Sequence, residues 1–252
     1  MTTKEALLDY VLRLADNNLI LGQRLCEWCG HAPELEIDIA LSNIALDLMG
    51  QSRNLYAYAT ELDEKGRTED EFAFLRDCGD FRNVLLVEQP NDDFAYAIVR
   101  QFFFDVYNYL FYKELKNSSD ARLAEIADKS IKEISYHIRF SSEWVIRLGD
   151  GTNESNAKMQ TAIDELWDYV GELTLVNEAD KQMLKEGVGV DLDKIRPQYY
   201  QKVTDILTEA TLNQPTYESF QKGGKEGIHT EYLGTILAEM QWMQRAYPDA
   251  TW

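Results

Sequence analysis

Helix breakers are scarce in this sequence. Its 252 residues include only 5 prolines and 14 glycines, and these fall mainly between long periodic stretches, a pattern that favours long helices over many short strands. Cysteine is scarcer still: three residues, an odd number, argue against a disulfide framework. Basic charge is short as well. Against 44 Asp and Glu stand 25 Lys and Arg, for a formal net charge of −19. A surface that acidic repels nucleic acid and anionic membranes and favours basic partners, although most of the acids read as solvated helix faces. No apolar run reaches the roughly 18–20 residues that a bilayer-spanning helix needs. The opening Met1-Thr2-Thr3-Lys4-Glu5 leads straight into an amphipathic helix with acidic residues. That pattern is unlike a signal or transit peptide, so the expected location is the cytoplasm.

Core material, by contrast, is ample. Hydrophobic residues make up 45% and charged residues 27%, enough for a sizeable core and unlike a disordered chain. Four long helices are expected, at about 4–29, 34–61, 93–116 and 121–148. Gly30 and Pro33 punctuate the end of the first. Asp63-Glu64-Lys65-Gly66 stops the second, and Asn117-Ser118-Ser119-Asp120 forms a turn before the fourth. About thirty residues, ending in Glu88-Gln89-Pro90-Asn91, separate the second helix from the third. A connection that long inside a bundle points to a crossover between two helical hairpins, the ferritin-like arrangement. The expected fold is therefore all-α: a single ferritin-like domain over 1–252, with a four-helix core bundle at about 4–148. A C-terminal helical extension follows at about 152–252, with helices near 154–176, 195–211 and 231–246.

Two of the helices carry clear seams. The second places Ile37, Leu41, Ile44, Leu48, Gln51, Leu55, Tyr58 and Leu62 in alternating steps of four and three, and the fourth does so with Leu123, Ala127, Ser130, Ile134, His137, Ser141, Trp144 and Leu148. Such steps average 3.5 residues, so each set faces a bundle core. Polar interruptions fall at Gln51 in one seam and at Ser130, His137 and Ser141 in the other.

The pairs Leu48-x-x-Gln51 and Ile134-x-x-His137 sit at an informative spacing. In ferritin-like di-iron proteins two helices each supply Glu-x-x-His and each of the other two supplies one acid. Several carboxylates must neutralise the two ions, and imidazoles add nitrogen ligands. Here Leu48 and Ile134 stand where the glutamates belong, and Gln51 stands where one histidine belongs. His137 remains and reads as a neutral core histidine, with Glu133 one turn away to accept its ring proton. In the third helix Asp105, inside Phe102-Phe103-Phe104-Asp105-Val106, is either an inward acid or a residue at the stripe's edge. For the first helix Asn18, Gln23 and Glu27 all stay open. Leu48, Gln51, Asp105, Ile134 and His137 are thus degenerate metal-site positions. No catalytic residue and no metal are expected in this chain.

Longer motifs carry a resemblance. The stretch Cys26-Glu27-Trp28-Cys29-Gly30-His31-Ala32-Pro33-Glu34-Leu35-Glu36-Ile37-Asp38 resembles the C subunits of bacterial phenylacetyl-CoA 1,2-epoxidases. So do Leu46-Asp47-Leu48-Met49-Gly50-Gln51, Leu86-Val87-Glu88-Gln89-Pro90-Asn91, Tyr136-His137-Ile138-Arg139-Phe140 and the run from Gly223 to Gly234. The resemblance implies a structural, non-catalytic subunit of a multicomponent NADPH-dependent monooxygenase of phenylacetate catabolism. Its implied partners are the catalytic di-iron subunit of that epoxidase, a reductase and a small accessory subunit. Two other readings remain: a self-contained di-iron oxidase using Glu27, Asp105, Glu133 and His137, or a ferritin-like scaffold outside oxygen chemistry.

Three further motifs have competing readings. Cys26-x-x-Cys29 with His31 and Cys78 suggests zinc, but a buried helix end with free thiols is favoured. Gly223-Gly224-Lys225-Glu226-Gly227 lacks the Ser or Thr that follows the lysine of a phosphate loop. It reads as a flexible loop, with Thr230 capping the last helix. The alternative is a loop through which Gly223, Gly224, Lys225 and His229 meet the partner subunit or the coenzyme A tail. Trp144, Trp167 and Trp242 suit core or interface packing.

Overall fold

The computed structural model of the protein describes residues 2–248 and 250. In chain order the helices are α1 (Thr3–Glu27), α2 (Leu35–Leu62), α3 (Glu69–Phe74), α4 (Phe94–Leu115), α5 (Ala121–Gly149), α6 (Asn153–Leu173), α7 (Glu178–Lys185), α8 (Leu192–Glu209) and α9 (Glu231–Ala246). Short 3-10 turns lie at Cys78–Asp80, Leu85–Glu88 and Gly224–Glu226. No strand occurs among the described residues, so the fold is all-α. Its order of helix, short loop, helix, long crossover, helix, short loop, helix is the ferritin-like one. No helix among the described residues is long and apolar enough to cross a membrane.

Local chemistry sets the helix ends. Thr2 and Glu5 form a reciprocal capping box at the start of α1, and the Asp93 and Asp120 carboxylates accept from the amides of Tyr96 and Leu123 to open α4 and α5. Gly30, at φ +84°, turns the chain after α1 in a conformation that L side chains rarely adopt. The α8 helix starts at Leu192, earlier than the expected 195, because Asp191 caps it; Pro197 lies inside it. Neither α3 nor α7 stood out in the sequence; both are short and each starts at a capping box.

The chain forms two compact units, one of Met1–Gln89 with Gly223–Trp252 and the other of Pro90–Lys222. The C-terminal part is therefore divided: α6, α7 and α8 belong to the second unit and α9 to the first.

In the first unit α1 packs along α2. Every residue from Tyr10 to Gly22 is buried, whereas α2 buries one stripe, Ile37, Leu41, Ile44, Leu48, Gln51, Leu55 and Tyr58. Gly22 allows the close approach, since a Cβ there would lie 3.2 Å from Met49 Cε and 3.5 Å from the Ala45 carbonyl oxygen. The crossover is not a slack loop: Phe72, Phe81, Val84, Leu85, Leu86 and Val87 are buried.

A buried ion pair pins this crossover to the hairpin. Asp16 and Arg76 form a bidentate pair in which both side chains are buried. The Tyr56 hydroxyl donates to Asp16 at 2.6 Å, and the Arg82 amide donates to its other oxygen at 2.8 Å. Arg76 also donates to the carbonyls of Phe72 and Asp80 and lies 4.1 Å from the centre of the Phe81 ring. From α9, Gln241 donates to the carbonyls of Ala73 and Arg76, both at 3.1 Å.

In the second unit α4 and α5 pack together, with α6 and α8 against them. Every residue of α4 from Ala95 to Asn108 is buried. The α5 seam is buried from Leu123 to Ser141, but Trp144 and Leu148 are only half-buried, and Val145 and Gly149 take their place. A strict 3.5-residue repeat drifts around a straight helix by about 20° per heptad, which moves the buried stripe by the last turn. Gly149 meets the end of α8 so closely that a Cβ would collide with the Ala210 carbonyl oxygen. Trp167 packs edge-on to Phe103 at 5.8 Å and donates its indole N–H to the Tyr217 carbonyl. Trp242 is 59% exposed.

Removing one member of the buried pair strands the other. Asp16→Asn is expected to destabilise the protein by about 3–5 kcal/mol, read as a lowered urea midpoint. A midpoint within error of wild type would show that Arg76 finds other partners.

Candidate functional site

The positions singled out by the di-iron spacing fall into two groups, one in each unit. In the first, Leu48 and Gln51 on α2 are buried, and the α1 residue beside Gln51 is Asn18, also buried. The Asn18 amide Nδ2 reaches Gln51 Oε1 at 3.5 Å. Of the three α1 positions left open by the sequence, Gln23 is half-buried and Glu27 pairs with Arg24 at 2.8 Å. Asn18 is therefore the α1 residue in contact with Gln51, and it brings an amide rather than a carboxylate.

In the second unit Asp105 is 1% exposed, so it is an inward acid and not one at the stripe's edge. Its Oδ2 accepts from the Ser141 hydroxyl at 2.8 Å and its Oδ1 from the Gln101 amide at 2.7 Å. Burial pushes its carboxyl from the ordinary 3.8 up to about 6, against the opposing pull of His137 and of the Ser141 and Gln101 donors. His137 and Ile134 are fully buried. Glu133 lies on the exposed face of α5, and the buried Asp105 is electrostatically coupled to His137.

These residues do not fit a di-iron pair, which takes about four carboxylates and two imidazoles. The first unit offers Asn18, Leu48 and Gln51, and the second offers Asp105, Ile134 and His137. One carboxylate and one imidazole leave most of the ionic charge unneutralised. Leu48 and Ile134 carry no ligating atom and are fully buried. What the second group does instead is satisfy a buried acid with two neutral donors.

The glycine-rich segment is docked onto the crossover. A Cβ at Gly224 would collide with the Asn83 carbonyl oxygen, and one at Gly227 with that of Gly79. Gly223 and Gly227 also hold φ values of +135° and +80°. Lys225 is only 3% exposed. The receiving group is Glu88, fully buried. Its Oε1 accepts from Asn83 at 2.9 Å and faces His229 Nδ1 at 2.5 Å, while its Oε2 accepts from the Thr230 amide at 3.0 Å and hydroxyl at 2.7 Å. The Thr230 hydroxyl thus bonds Glu88 and does not cap α9, contrary to the expectation from the sequence. His229 Nε2 meets the Phe81 carbonyl at 3.0 Å. The acceptors at both ring nitrogens favour the charged imidazole: burial pulls its pKa down, but Glu88 and the Phe81 carbonyl outweigh this and raise it above the ordinary 6.5. Nothing in the sequence announced this pairing, since the partners are 141 residues apart.

The three cysteines are free. Cys26 and Cys29 are exposed rather than in a buried helix end, because the buried part of α1 stops at Leu25.

A family model described as "Phenylacetic acid catabolic protein" matches residues 1–252. The chain is also 51% identical over 243 residues to the C subunit of the 1,2-phenylacetyl-CoA epoxidase of Escherichia coli (strain K12), covering 96% of this chain and 98% of that protein.

Two pH experiments follow from these groups. Native Asp105 holds its proton more tightly than the unfolded chain does. Its contribution is therefore present at low pH and lost as pH rises from about 4 through 6. Relative to wild type, Asp105→Asn should gain on the order of 2–3 kcal/mol between pH 4 and 7, measured by urea unfolding. A constant difference across that range would contradict the buried-acid account. For His229 the raised native pKa means that the contribution is complete below 6.5 and lost as pH rises past the native value. His229→Gln should be destabilised by about 1.5–3 kcal/mol at pH 6, with the gap closing in alkaline solution. A gap that widens with pH would mean that the imidazole is neutral in the fold.

Proposed function

The chain belongs to the phenylacetic acid catabolic protein family, and from that premise we propose that it is a non-catalytic structural subunit of a phenylacetyl-CoA 1,2-epoxidase in the cytoplasm. One observation carries the reading: the two Glu-x-x-His spacings of a di-iron bundle hold Leu48-x-x-Gln51 and Ile134-x-x-His137. Epoxidation then belongs to a homologous subunit with an intact iron site, fed with electrons from NADPH by a reductase and joined by a small accessory subunit. This chain supplies packing. Iron ligands depend on the helices that hold them, so a partner influences catalysis without touching the metal.

The chain's own residues suit that task. A well-satisfied buried acid stands where an ion would otherwise need neutralising, and the strongly acidic composition favours partners with basic surfaces. The glycine-rich segment supports protein contact over phosphate binding, because Lys225 and the His229 side chain are buried. Its exposed residues are Glu226 and Ile228, an acid and a hydrophobe.

Size-exclusion chromatography of the chain mixed with the iron-bearing homologue tests this. Both should shift into one peak. The chain purified alone and loaded anaerobically with ferrous ion should retain far less than one iron. Two separate peaks at micromolar concentration, or about two irons per chain with the absorption of an oxo-bridged pair, would refute the reading.

A further inference from the structure

The α2 helix carries a second seam, on the face opposite its core stripe. Leu35, Ile39, Ser42, Leu46, Met49 and Arg53 recur in steps of four and three, as the buried set does. Two residues' displacement from that set is about 200° around the helix, so Leu35, Ile39 and Leu46 point away from α1, while Met49 reaches back beside Gly22 of α1 and Arg53 ends the seam. Leu35 is 70% exposed, Ile39 51% and Leu46 67%. An apolar heptad seam on an exposed helix face is the pattern by which one helix receives another.

A glycine on the same face makes an independent point. Gly50 lies in the interior of α2, one turn beyond Leu46, and is exposed. Nothing lies within 4 Å of the position its Cβ would take. Glycine inside a helix is less stable than alanine because more backbone freedom is lost on folding, and no neighbour in this chain requires the missing methyl. The missing methyl leaves room for a backbone approaching this face from outside.

The charge around the seam selects the occupant. Over its whole length α2 carries Glu36, Asp38, Asp47 and Glu61 against one basic residue, Arg53, which pairs with Glu69 at 3.4 Å. At the far end the seam runs into a groove of about 450 Å³ between α1, α2 and α3, bordered by Leu19, Met49, Arg53, Phe74, Glu69 and Asp70. A second copy of this chain would bring acid against acid, with a net charge of −19 on each side.

We infer that the outer face of α2 is the docking surface for a helix of the partner subunit, one with an apolar seam flanked by Lys and Arg, crossing closest at Gly50. This rests on the structural-subunit reading and assigns it a surface. The apolar seam supplies the contact, Gly50 sets the distance, and the acidic flanks steer and orient the basic helix.

The test uses the full chain and the iron-bearing subunit, with affinity measured by titration at two salt concentrations. Leu46→Asp should weaken the complex by at least about 100-fold and leave the circular dichroism of the isolated chain unchanged. Gly50→Ala should raise the melting temperature of the isolated chain by about 2–4 °C yet weaken the complex about 10-fold, an opposition that a purely structural glycine would not give. Phe220→Asp, at an exposed hydrophobe of the second unit, should bind as wild type does, and wild-type affinity should fall with added salt. If wild type binds but Leu46→Asp and Gly50→Ala bind equally well, the docking face is wrong and the structural-subunit reading stands. If wild type fails to bind, both fall. A dimer of the chain alone that Leu46→Asp dissolves would overturn the choice of occupant.

Discussion

The first unit depends on a charge placed where charge is expensive. Asp16 sits in the middle of the fully buried part of α1, and an isolated carboxylate there would cost several kcal/mol in lost hydration. Arg76, Tyr56 and the Arg82 amide remove that penalty, and all but Tyr56 come from the crossover. A crossover docked in any other register leaves both Asp16 and Arg76 buried without partners. The pair thereby selects the path of some thirty residues that few local propensities determine. Glu88 repeats the device further along, taking donors from Asn83, His229 and Thr230 and so tying the segment before α9 back to the crossover. The glycines at 224 and 227 follow from this, because their backbones lie against carbonyls of the crossover.

The same physics explains the candidate site. A di-iron centre stabilises buried carboxylates with cations; without the cations each carboxylate becomes a liability. The sequence is consistent on this point at five of six positions, where Asn18, Leu48, Gln51, Ile134 and His137 carry no obligatory negative charge. Asp105 is the exception, and it is held by Gln101 and Ser141 with its carboxyl pushed up toward neutrality. Within each unit, the positions singled out by the di-iron spacing are part of an ordinary buried core.

What the sequence revealed, and what it hid, divides along the helices. The α2 and α5 helices bury one face, so their seams were legible from period except in the last turns, where Leu62, Trp144 and Leu148 are only half-buried. The α1 and α4 helices are buried all round through their central turns and have no stripe from which to choose an inward residue. For that reason Asn18 stood beside Gln23 and Glu27 as an equal candidate, and the orientation of Asp105 stayed open. The ion pairs at Asp16 and Glu88 join residues 60 and 141 apart, and no local pattern reports a partner at that distance. Thr230 shows the same limit at short range: its position before α9 is that of a cap, but the carboxylate of Glu88 takes its hydroxyl.

The central claim is that this chain acts by packing and not by chemistry. Asp105 and His137 are the two ligand-type side chains left at its degenerate positions. The direct measurement is therefore the rate of phenylacetyl-CoA epoxidation by the assembled complex in which this chain carries Asp105→Asn and His137→Gln together. The account predicts a turnover per assembled complex within about twofold of wild type, since no reacting atom is touched. A complex that assembles normally but loses turnover by orders of magnitude would contradict it and place iron chemistry in this chain.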